Sequence, residues 1–173
     1  MARRLAQALK SAPQTEPAAA REIDLGWLGG TVGFYLRTAQ EAAFQAFARK
    51  ANTADGKPWR FAVLALIDAN PGLTQGDLAV ALRRNTSSLT PVLDELYRLG
   101  YVVRERLESD RRAYTLTLTP AGRAVMLRLM ASAVAHEREI DRLVGRARRA
   151  DFIRTLKQII AGLSQDDRGQ QSR

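Results

Sequence analysis

The chain has 173 residues, a length that suits one domain, with or without extra helices. Its 27 Lys and Arg residues against 18 Asp and Glu residues give a net charge of +9. A charge of this size attracts polyanions such as nucleic acid or an anionic membrane surface. Cysteine is absent and His136 is the one histidine, which excludes disulfides and thiolate chemistry and disfavours a His-rich metal site, so we expect no metal and no cofactor. No apolar run approaches about 18 residues, the length that crosses a membrane, so we expect a cytoplasmic protein without a membrane partner.

The N-terminal quarter of the chain predicts an arm followed by a long helix. Residues 1–20 are rich in Ala, Pro and Gln and predict a mobile basic arm, although a transit peptide stays open for this segment. Apolar residues at steps of three and four then predict one helix over about residues 24–52, with three glycines weakening its first part. Its stripe consists of Leu25, Leu28, Val32, Tyr35, Ala39, Ala43 and Ala46.

Three shorter helices are predicted to follow. Pro58 suits the first turn of a second helix, which residues 70–72 (Asn-Pro-Gly) end. Thr74 and Asp77 resemble a capping box at the start of a short third helix. A polar break at residues 83–88 precedes a fourth helix, which Gly100 ends.

Beyond residue 100 the apolar period changes from 3.6 to 2, which predicts a β-hairpin with a charged tip at residues 108–112. Thr119 and Pro120 indicate the N-cap and first turn of a long fifth helix that runs to about Val144. A last helix follows, and the polar tail after Leu163 is predicted to be loose. The stripe of the last helix consists of Phe152, Leu156, Ile159 and Leu163.

Two short helices followed by a hairpin form a winged helix-turn-helix. In such a unit the second short helix presents small polar side chains, here Ser87, Ser88 and Thr90, to base edges in the major groove. The hairpin tip places Arg111 or Arg112 near the adjacent minor groove, whose negative potential attracts arginine. Each feature alone has a plainer interpretation, since Ser and Thr are common helix caps and charged hairpin tips are usually solvated turns.

The same segments resemble the MarR (multiple antibiotic resistance regulator) family. The matching stretches are LTQGDLAVAL, SSLTPVLDELYRLGYVVRE and SDRRAYTLTLTPAG, and the similarity in order and length extends over about residues 24–163. The resemblance implies a mainly α fold with a small β-hairpin wing, and a homodimer in which the long terminal helices intertwine. The implied segments are a flexible basic arm (1–20), an N-terminal dimerisation helix (21–57), a winged helix-turn-helix DNA-binding lobe (58–120), C-terminal dimerisation helices (121–163) and a disordered tail (164–173).

The resemblance also implies roles in binding double-stranded DNA. It puts Ser87, Ser88 and Thr90 at base edges and backbone and Arg112 in the wing-tip groove, with Asp110 orienting that arginine by a charge-assisted hydrogen bond. The remaining candidates for DNA contact are Arg83, Arg84 and Arg111.

Pro91 departs from the family pattern, in which many relatives have a polar or basic residue. If Ser88 is the N-cap, Pro91 falls at the third helical position, where its missing N–H costs nothing. We therefore expect the recognition helix to start later than is usual in the family.

Family members usually release DNA when a small ligand binds between the dimer helices and the DNA-binding lobe. A closer similarity, to the hydroxycinnamoyl-CoA-responsive regulators of aromatic-acid catabolism, lies in the segments PWRFAVLALI and SSLTPVLDEL. It implies a small anionic aromatic ligand or an acyl-CoA thioester, which would relieve repression. The candidate ligand-binding residues are Trp27, Phe34, Arg37, Trp59, Arg60 and His136. Among them, Arg37 and Arg60 would meet a carboxylate or phosphate of the ligand. For the aromatic residues and His136, ordinary core packing is the plainer alternative.

Two other classes of function remain open on the sequence. A winged helix can serve protein assembly without a ligand, but that role would not require the basic tip at Arg111 and Arg112. An enzyme is disfavoured, because the chain has no visible set of nucleophile, base and acid and no phosphate-binding glycine loop, and we name no catalytic residue.

Overall fold

The computed structural model describes residues 23–53, 55–106 and 114–170, with side chains up to Ser164. The helices are α1 (Val32–Ala51), α2 (Pro58–Ala69), α3 (Gln75–Leu82), α4 (Thr86–Arg98), α5 (Pro120–Val144) and α6 (Arg149–Gln170). The strands are β1 (Val102–Arg106) and β2 (Tyr114–Leu118), and two short 3-10 turns cover Gly26–Gly30 and Arg146–Arg148. The chain divides into two compact units, residues 1–39 and residues 40–173, and the division falls within α1.

The described part of the first unit is a glycine-rich turn leading into α1. The predicted helix from residue 24 is wrong at its start, because residues 26–30 form a 3-10 turn and Thr31 is extended. Gly26 has a φ of +52°, a left-handed conformation that glycine adopts without a Cβ clash. The hydroxyl of Tyr35 donates to the carbonyl of Gly29 at 3.1 Å, which holds the turn against the first turns of α1.

The second unit contains the core, and its composition follows from the apolar periodicity of the short helices. Helix α4 buries Leu89, Leu93 and Leu96 at steps of four and three, and these side chains pack with α2, α3 and α5. The other fully or nearly fully buried apolar side chains of this core include Val63, Leu64, Leu78, Val102, Leu116 and Val125.

The hairpin is attached to the helices at its base. Strands β1 and β2 are antiparallel, with Val102 opposite Leu118 and Arg106 opposite Tyr114. The backbone N–H of Leu116 donates to the carbonyl of Leu73 at 2.8 Å, so the segment before α3 forms a short β-bridge with β2. This β-bridge fixes the hairpin relative to the two helices of the helix-turn-helix.

Helix α5 starts in close contact with the segment that joins α4 to β1. Thr119 caps it, as the sequence predicted, by accepting from the backbone N–H of Gly122 at 3.0 Å. A Cβ at Gly122 would lie 2.0 Å from the carbonyl oxygen of Tyr101, so a residue without a side chain is required here. Helix α6 runs to Gln170, beyond Leu163, after which the sequence predicted a loose tail. Within the described residues, no helix has both the length and the apolar character needed to cross a membrane.

Candidate nucleic-acid interface

Helix α3 begins at the capping box that the sequence predicted. The Thr74 hydroxyl accepts from the backbone N–H of Asp77 at 3.2 Å, and the Asp77 carboxylate accepts from the Thr74 hydroxyl at 2.7 Å and its backbone N–H at 3.0 Å. The bonds from the Thr74 hydroxyl and, to a smaller extent, from the Thr74 N–H favour the charged carboxylate and lower the pKa of Asp77 below its ordinary value. A negative charge in this first turn also complements the helix dipole, so the start of α3 is stabilised locally.

Helix α4 is capped by Asn85, so the condition considered for Pro91, that Ser88 is the N-cap, is not met. The side-chain oxygen of Asn85 accepts from the backbone N–H of Ser88 at 2.8 Å, which places Ser88 three residues inside the helix. Pro91 is therefore the sixth residue of α4, where its ring nitrogen cannot donate to the carbonyl of Ser87. The recognition helix therefore begins at Thr86, three residues before the start that a Ser88 cap would give. Asparagine is among the best N-cap residues, a signal that was present in the sequence.

The hydroxyl groups at the start of α4 are hydrogen-bonded within the turn. The Ser87 hydroxyl donates to the Asn85 side chain at 3.1 Å, and the Ser88 hydroxyl donates to the Asn85 carbonyl at 2.8 Å. Ser87 and Thr90 are exposed, whereas Ser88 is half-buried. Because a hydroxyl that donates locally still has acceptor capacity, Ser87 and Thr90 present acceptors to solvent at the N-terminal end of α4.

Gln75 joins the two helices of the unit, a role that sequence reasoning missed. Its side-chain amide donates to the carbonyl of Thr86 and to the hydroxyl of Thr90, each at 3.1 Å. Residue 75 lies at the start of α3 and its two acceptors lie in the first turns of α4, so the bonds fix one helix terminus against the other. The contact joins residues 11 and 15 positions apart, which helical periodicity does not reveal.

Two arginines occupy the turn between α3 and α4. Arg83 ends α3 with a φ of +50°, and its guanidinium bonds to the hydroxyl of Ser164 on α6. Arg84 is exposed and its Nε donates to the Ser88 hydroxyl at 3.3 Å. The Arg84 cation therefore lies beside the N-terminus of α4, where the helix dipole already favours an anion such as phosphate, whereas the Arg83 guanidinium lies against α6.

The wing is described only at its base. The predicted tip residues Asp110, Arg111 and Arg112 lie outside the described residues. At the base, the Arg104 guanidinium lies 4.4 Å from the centroid of the Tyr97 ring, a cation–π contact that ties β1 to α4. Arg104 also approaches Asp94 on α4 at 3.9 Å, so the strand that leads to the tip is held against the recognition helix.

The candidate ligand-binding residues divide between the two units. In the first unit Trp27 is 83% exposed, Arg37 is exposed, and Phe34 is half-buried with its ring edge-on to Tyr35 at 5.5 Å. In the second unit Trp59 is half-buried and has Lys57 Nζ at 5.5 Å from its ring centroid. At Trp59, the indole ring and the nearby Lys57 ammonium suit an anionic aromatic compound, whose charge would pair with the ammonium and whose ring would pack against the indole.

Arg60 and His136, the two other candidates, are buried. The guanidinium of Arg60 bonds to Asp55 at 2.5 Å and to Glu95 at 2.7 Å, so carboxylates of the chain already occupy the position expected for a ligand carboxylate. His136 faces inward as predicted and contacts Phe47 edge-on at 5.9 Å, and its Nδ1 has no hydrogen-bond partner among the described residues. The described residues contain no cluster of acidic and histidine side chains that could hold a metal ion.

Comparison with known proteins explains this arrangement. The profile of the MarR family matches residues 58–114, which run from the start of α2 to the first residue of β2. A protein of Thauera aromatica, named as a transcriptional regulatory protein for the hcr operon, is 35% identical over 139 residues, which are 80% of this chain and 84% of the relative. The chain belongs to the MarR family.

Two solved MarR-type structures extend the comparison. The transcriptional repressor CouR bound to a 23-mer DNA duplex is 35% identical with a TM-score of 0.73, and the match covers 80% of this chain and 99% of CouR. CouR bound to p-coumaroyl-CoA is 33% identical with a TM-score of 0.72, over 80% of this chain and 98% of CouR. The winged helix-turn-helix is thus confirmed, and the protein is a MarR-type transcriptional regulator. Within that fold, α3 and α4 are the helix-turn-helix, α4 is the recognition helix and the β-hairpin is the wing.

Proposed function

We propose that this MarR protein is a homodimeric repressor that binds a palindromic operator and leaves it when a small anionic aromatic ligand, foremost an aromatic acyl-CoA thioester, binds. The observation that carries the proposal is the N-terminal end of α4, where exposed hydroxyls and Arg84 lie at a well-capped helix terminus. We place its action in the cytoplasm, where a bacterial operator lies.

In the DNA-binding state, α4 enters the major groove with its N-terminal end leading. Ser87 and Thr90 meet base edges, and Ser88 supports them from its half-buried position. Arg83 and Arg84 bind backbone phosphates, which fixes the register of the helix without reading sequence. At the wing tip Arg112, oriented by Asp110, enters the minor groove beside Arg111.

The dimer is formed by the terminal segments, residues 21–57 and 121–163. Apolar side chains on these segments are exposed in the single chain, and burial of apolar surface drives stable association. On α6 they include Phe152 at 46%, Ile160 at 46% and Leu163 at 69% exposed. A two-fold axis between the protomers then sets two recognition helices one helical turn of DNA apart.

Each unit by itself offers aromatic and cationic side chains that we propose for ligand contact. Trp59 next to Lys57 supplies a ring and a charge in the lobe, and Trp27, Phe34 and Arg37 supply the same chemistry in the first unit. Bound CoA adds phosphates to a protein whose net charge is +9, and these anions oppose the DNA backbone in the same positive field. Release requires only that the ligand prefers the conformation that binds DNA weakly.

The test starts from DNA duplexes that the wild-type protein selects from a library with a randomised core of roughly 24 bp, long enough for two half-sites one turn apart. p-Coumaroyl-CoA, free p-coumaric acid and CoA alone are titrated into the labelled complex at fixed salt. We expect the thioester to lower the DNA affinity about 5- to 150-fold, the range of typical allosteric coupling, and the free acid to do less. If none of the three compounds changes the DNA affinity or the melting temperature, the ligand class is wrong, while selection of a defined sequence would still support the DNA-binding part.

A further inference from the structure

The guanidinium of Arg60 joins two elements that are far apart in the sequence. Arg60 is 3% exposed in the first turn of α2. Its Nη1 donates to Asp55, in the connection between α1 and α2, at 2.5 Å, and its Nη2 donates to Glu95, on the recognition helix, at 2.7 Å. A planar guanidinium fixes the direction as well as the distance of both bonds, so the position of Glu95 depends on the position of Asp55.

The Asp55 end of this bridge is held firmly. Gly56 is buried, and a Cβ there would lie 2.6 Å from the Cβ of Ala51, the last residue of α1. The Gly56 N–H donates to the carbonyl of Thr53 at 2.9 Å, which closes the connection into a tight turn. Because no side chain fits between this turn and the end of α1, a shift of that helix end carries Asp55 with it.

The other end of the bridge controls the angle of the recognition helix. Glu95 lies eight residues after Ser87 on α4, a separation of about 12 Å at 1.5 Å per residue. A tilt of about 5° at Glu95 therefore moves the N-terminal end by about 1 Å, which exceeds the roughly 0.5 Å range of ordinary hydrogen-bond distances. Contacts to base edges would be lost at such a tilt, whereas long arginine and lysine side chains could still follow the phosphates.

We propose that Arg60 is a positioning residue for DNA recognition: by bridging Asp55 and Glu95 it sets the angle of α4 from the end of α1, and operator specificity depends on this bridge. The inference rests on the proposed DNA-binding function of α4. In this role Arg60 carries a shift of the segment proposed for dimerisation to the recognition helix and does not contact a ligand directly.

The test compares two neighbouring substitutions of the same chemical kind on α4. Glu95→Gln removes the charge at the bridge, whereas Asp94→Asn removes an exposed carboxylate whose partner, Arg104, lies at 3.9 Å. The affinity of each variant is measured for a duplex selected by the wild type and for a scrambled duplex of equal length and composition. Both variants lose one negative charge, so their affinities for scrambled DNA should rise equally.

The ratio of specific to non-specific affinity is the decisive quantity. We expect Glu95→Gln to lower this ratio about 2- to 30-fold, the range found for substitutions that alter coupling between sites, and Asp94→Asn to leave it within about 2-fold of wild type. Arg60→Lys keeps the charge but not the fork geometry and should also lower the ratio, which keeps the test decisive if Glu95→Gln does not fold.

Partial unfolding would reduce both affinities in proportion, which a melting curve would reveal, and would leave the ratio unchanged. An unchanged ratio in folded Glu95→Gln or Arg60→Lys overturns the positioning role while leaving DNA binding intact. If the wild type selects no sequence at all, the proposed function and this inference fail together.

Discussion

Gly122→Ala should destabilise the protein strongly, because the position next to the wing base has no room for a methyl group. The new Cβ would lie 2.0 Å from the carbonyl oxygen of Tyr101 and 2.8 Å from its carbonyl carbon. Both atoms belong to the backbone and cannot rotate away as a side chain would. The reason is steric, since Gly122 lies within the first turn of α5 and needs no left-handed conformation.

The expected magnitude follows from the two interactions that must change. Relieving the overlap costs about 1–3 kcal/mol, as in other overpacked sites. Moving the Tyr101 carbonyl also strains its hydrogen bond from the Thr119 N–H, now 3.1 Å, which is worth about 0.5–1.5 kcal/mol. The total is about 3 kcal/mol, and at about 2–4 °C per kcal/mol for a chain of this size the melting temperature should fall by about 6–12 °C.

Thermal unfolding followed by circular dichroism at fixed protein concentration measures this shift, and Gly76→Ala is the matched control. Gly76 also lies in the first turn of a helix, but its Cβ would make an ordinary contact of 3.6 Å with the Thr74 hydroxyl. We expect that variant to melt within about 2 °C of wild type, since its change in stability is a fraction of about 1 kcal/mol. Equal melting temperatures for the two variants would refute the steric argument.

Four further predictions address the helix termini, the wing and the assembly. Asn85→Ala removes the cap of α4 and should cost about 1 kcal/mol in denaturant unfolding; no loss would show that the capping bonds contribute nothing. Because its bonds to Thr74 lower the pKa of Asp77 in the folded state, its stabilisation is present at neutral pH and is lost as the pH falls below about 4. Asp77→Asn should therefore reduce the acid-induced loss of stability, and an identical pH profile would contradict this. Arg112→Ala should weaken operator binding and flatten its salt dependence with fold and dimer intact, whereas unchanged affinity and slope would make the tip a solvated turn. Sedimentation at micromolar concentration should give about twice the chain mass of 19.1 kDa, and a clean monomer would exclude the two-fold operator.

Local patterns predicted the elements of the fold well, because each depends on residues close in the chain. The capping box at Thr74, the cap at Thr119 and the end of α4 at Gly100, whose φ is +68°, are all confirmed. The errors arose where several neighbouring residues had similar propensities. Asn85 and Ser88 are about equally good caps, so the choice between them requires the structure. Similarly, helical spacing in residues 24–31 concealed a 3-10 turn, since glycine tolerates either conformation.

The side-chain contacts of the site were less predictable than the fold. Gln75 reaches 15 residues along the chain to Thr90, and Arg60 reaches 35 residues to Glu95. No period or spacing marks such pairs, which depend on the packing of whole helices. The charge of Arg60 and the aromatic residues near it in the sequence predict a ligand contact, and the bonds of Arg60 to Asp55 and Glu95 are visible only in the structure.

Hydroxyl-radical footprinting of a selected duplex tests whether two copies of α4 in a symmetric dimer read the DNA. We expect two protected half-sites related by a dyad and spaced about 10 bp apart, with protection of the flanking minor grooves by the wings. Adding p-coumaroyl-CoA should remove both halves of the footprint together. A single asymmetric footprint, or protection spread evenly along the duplex, would contradict the claim.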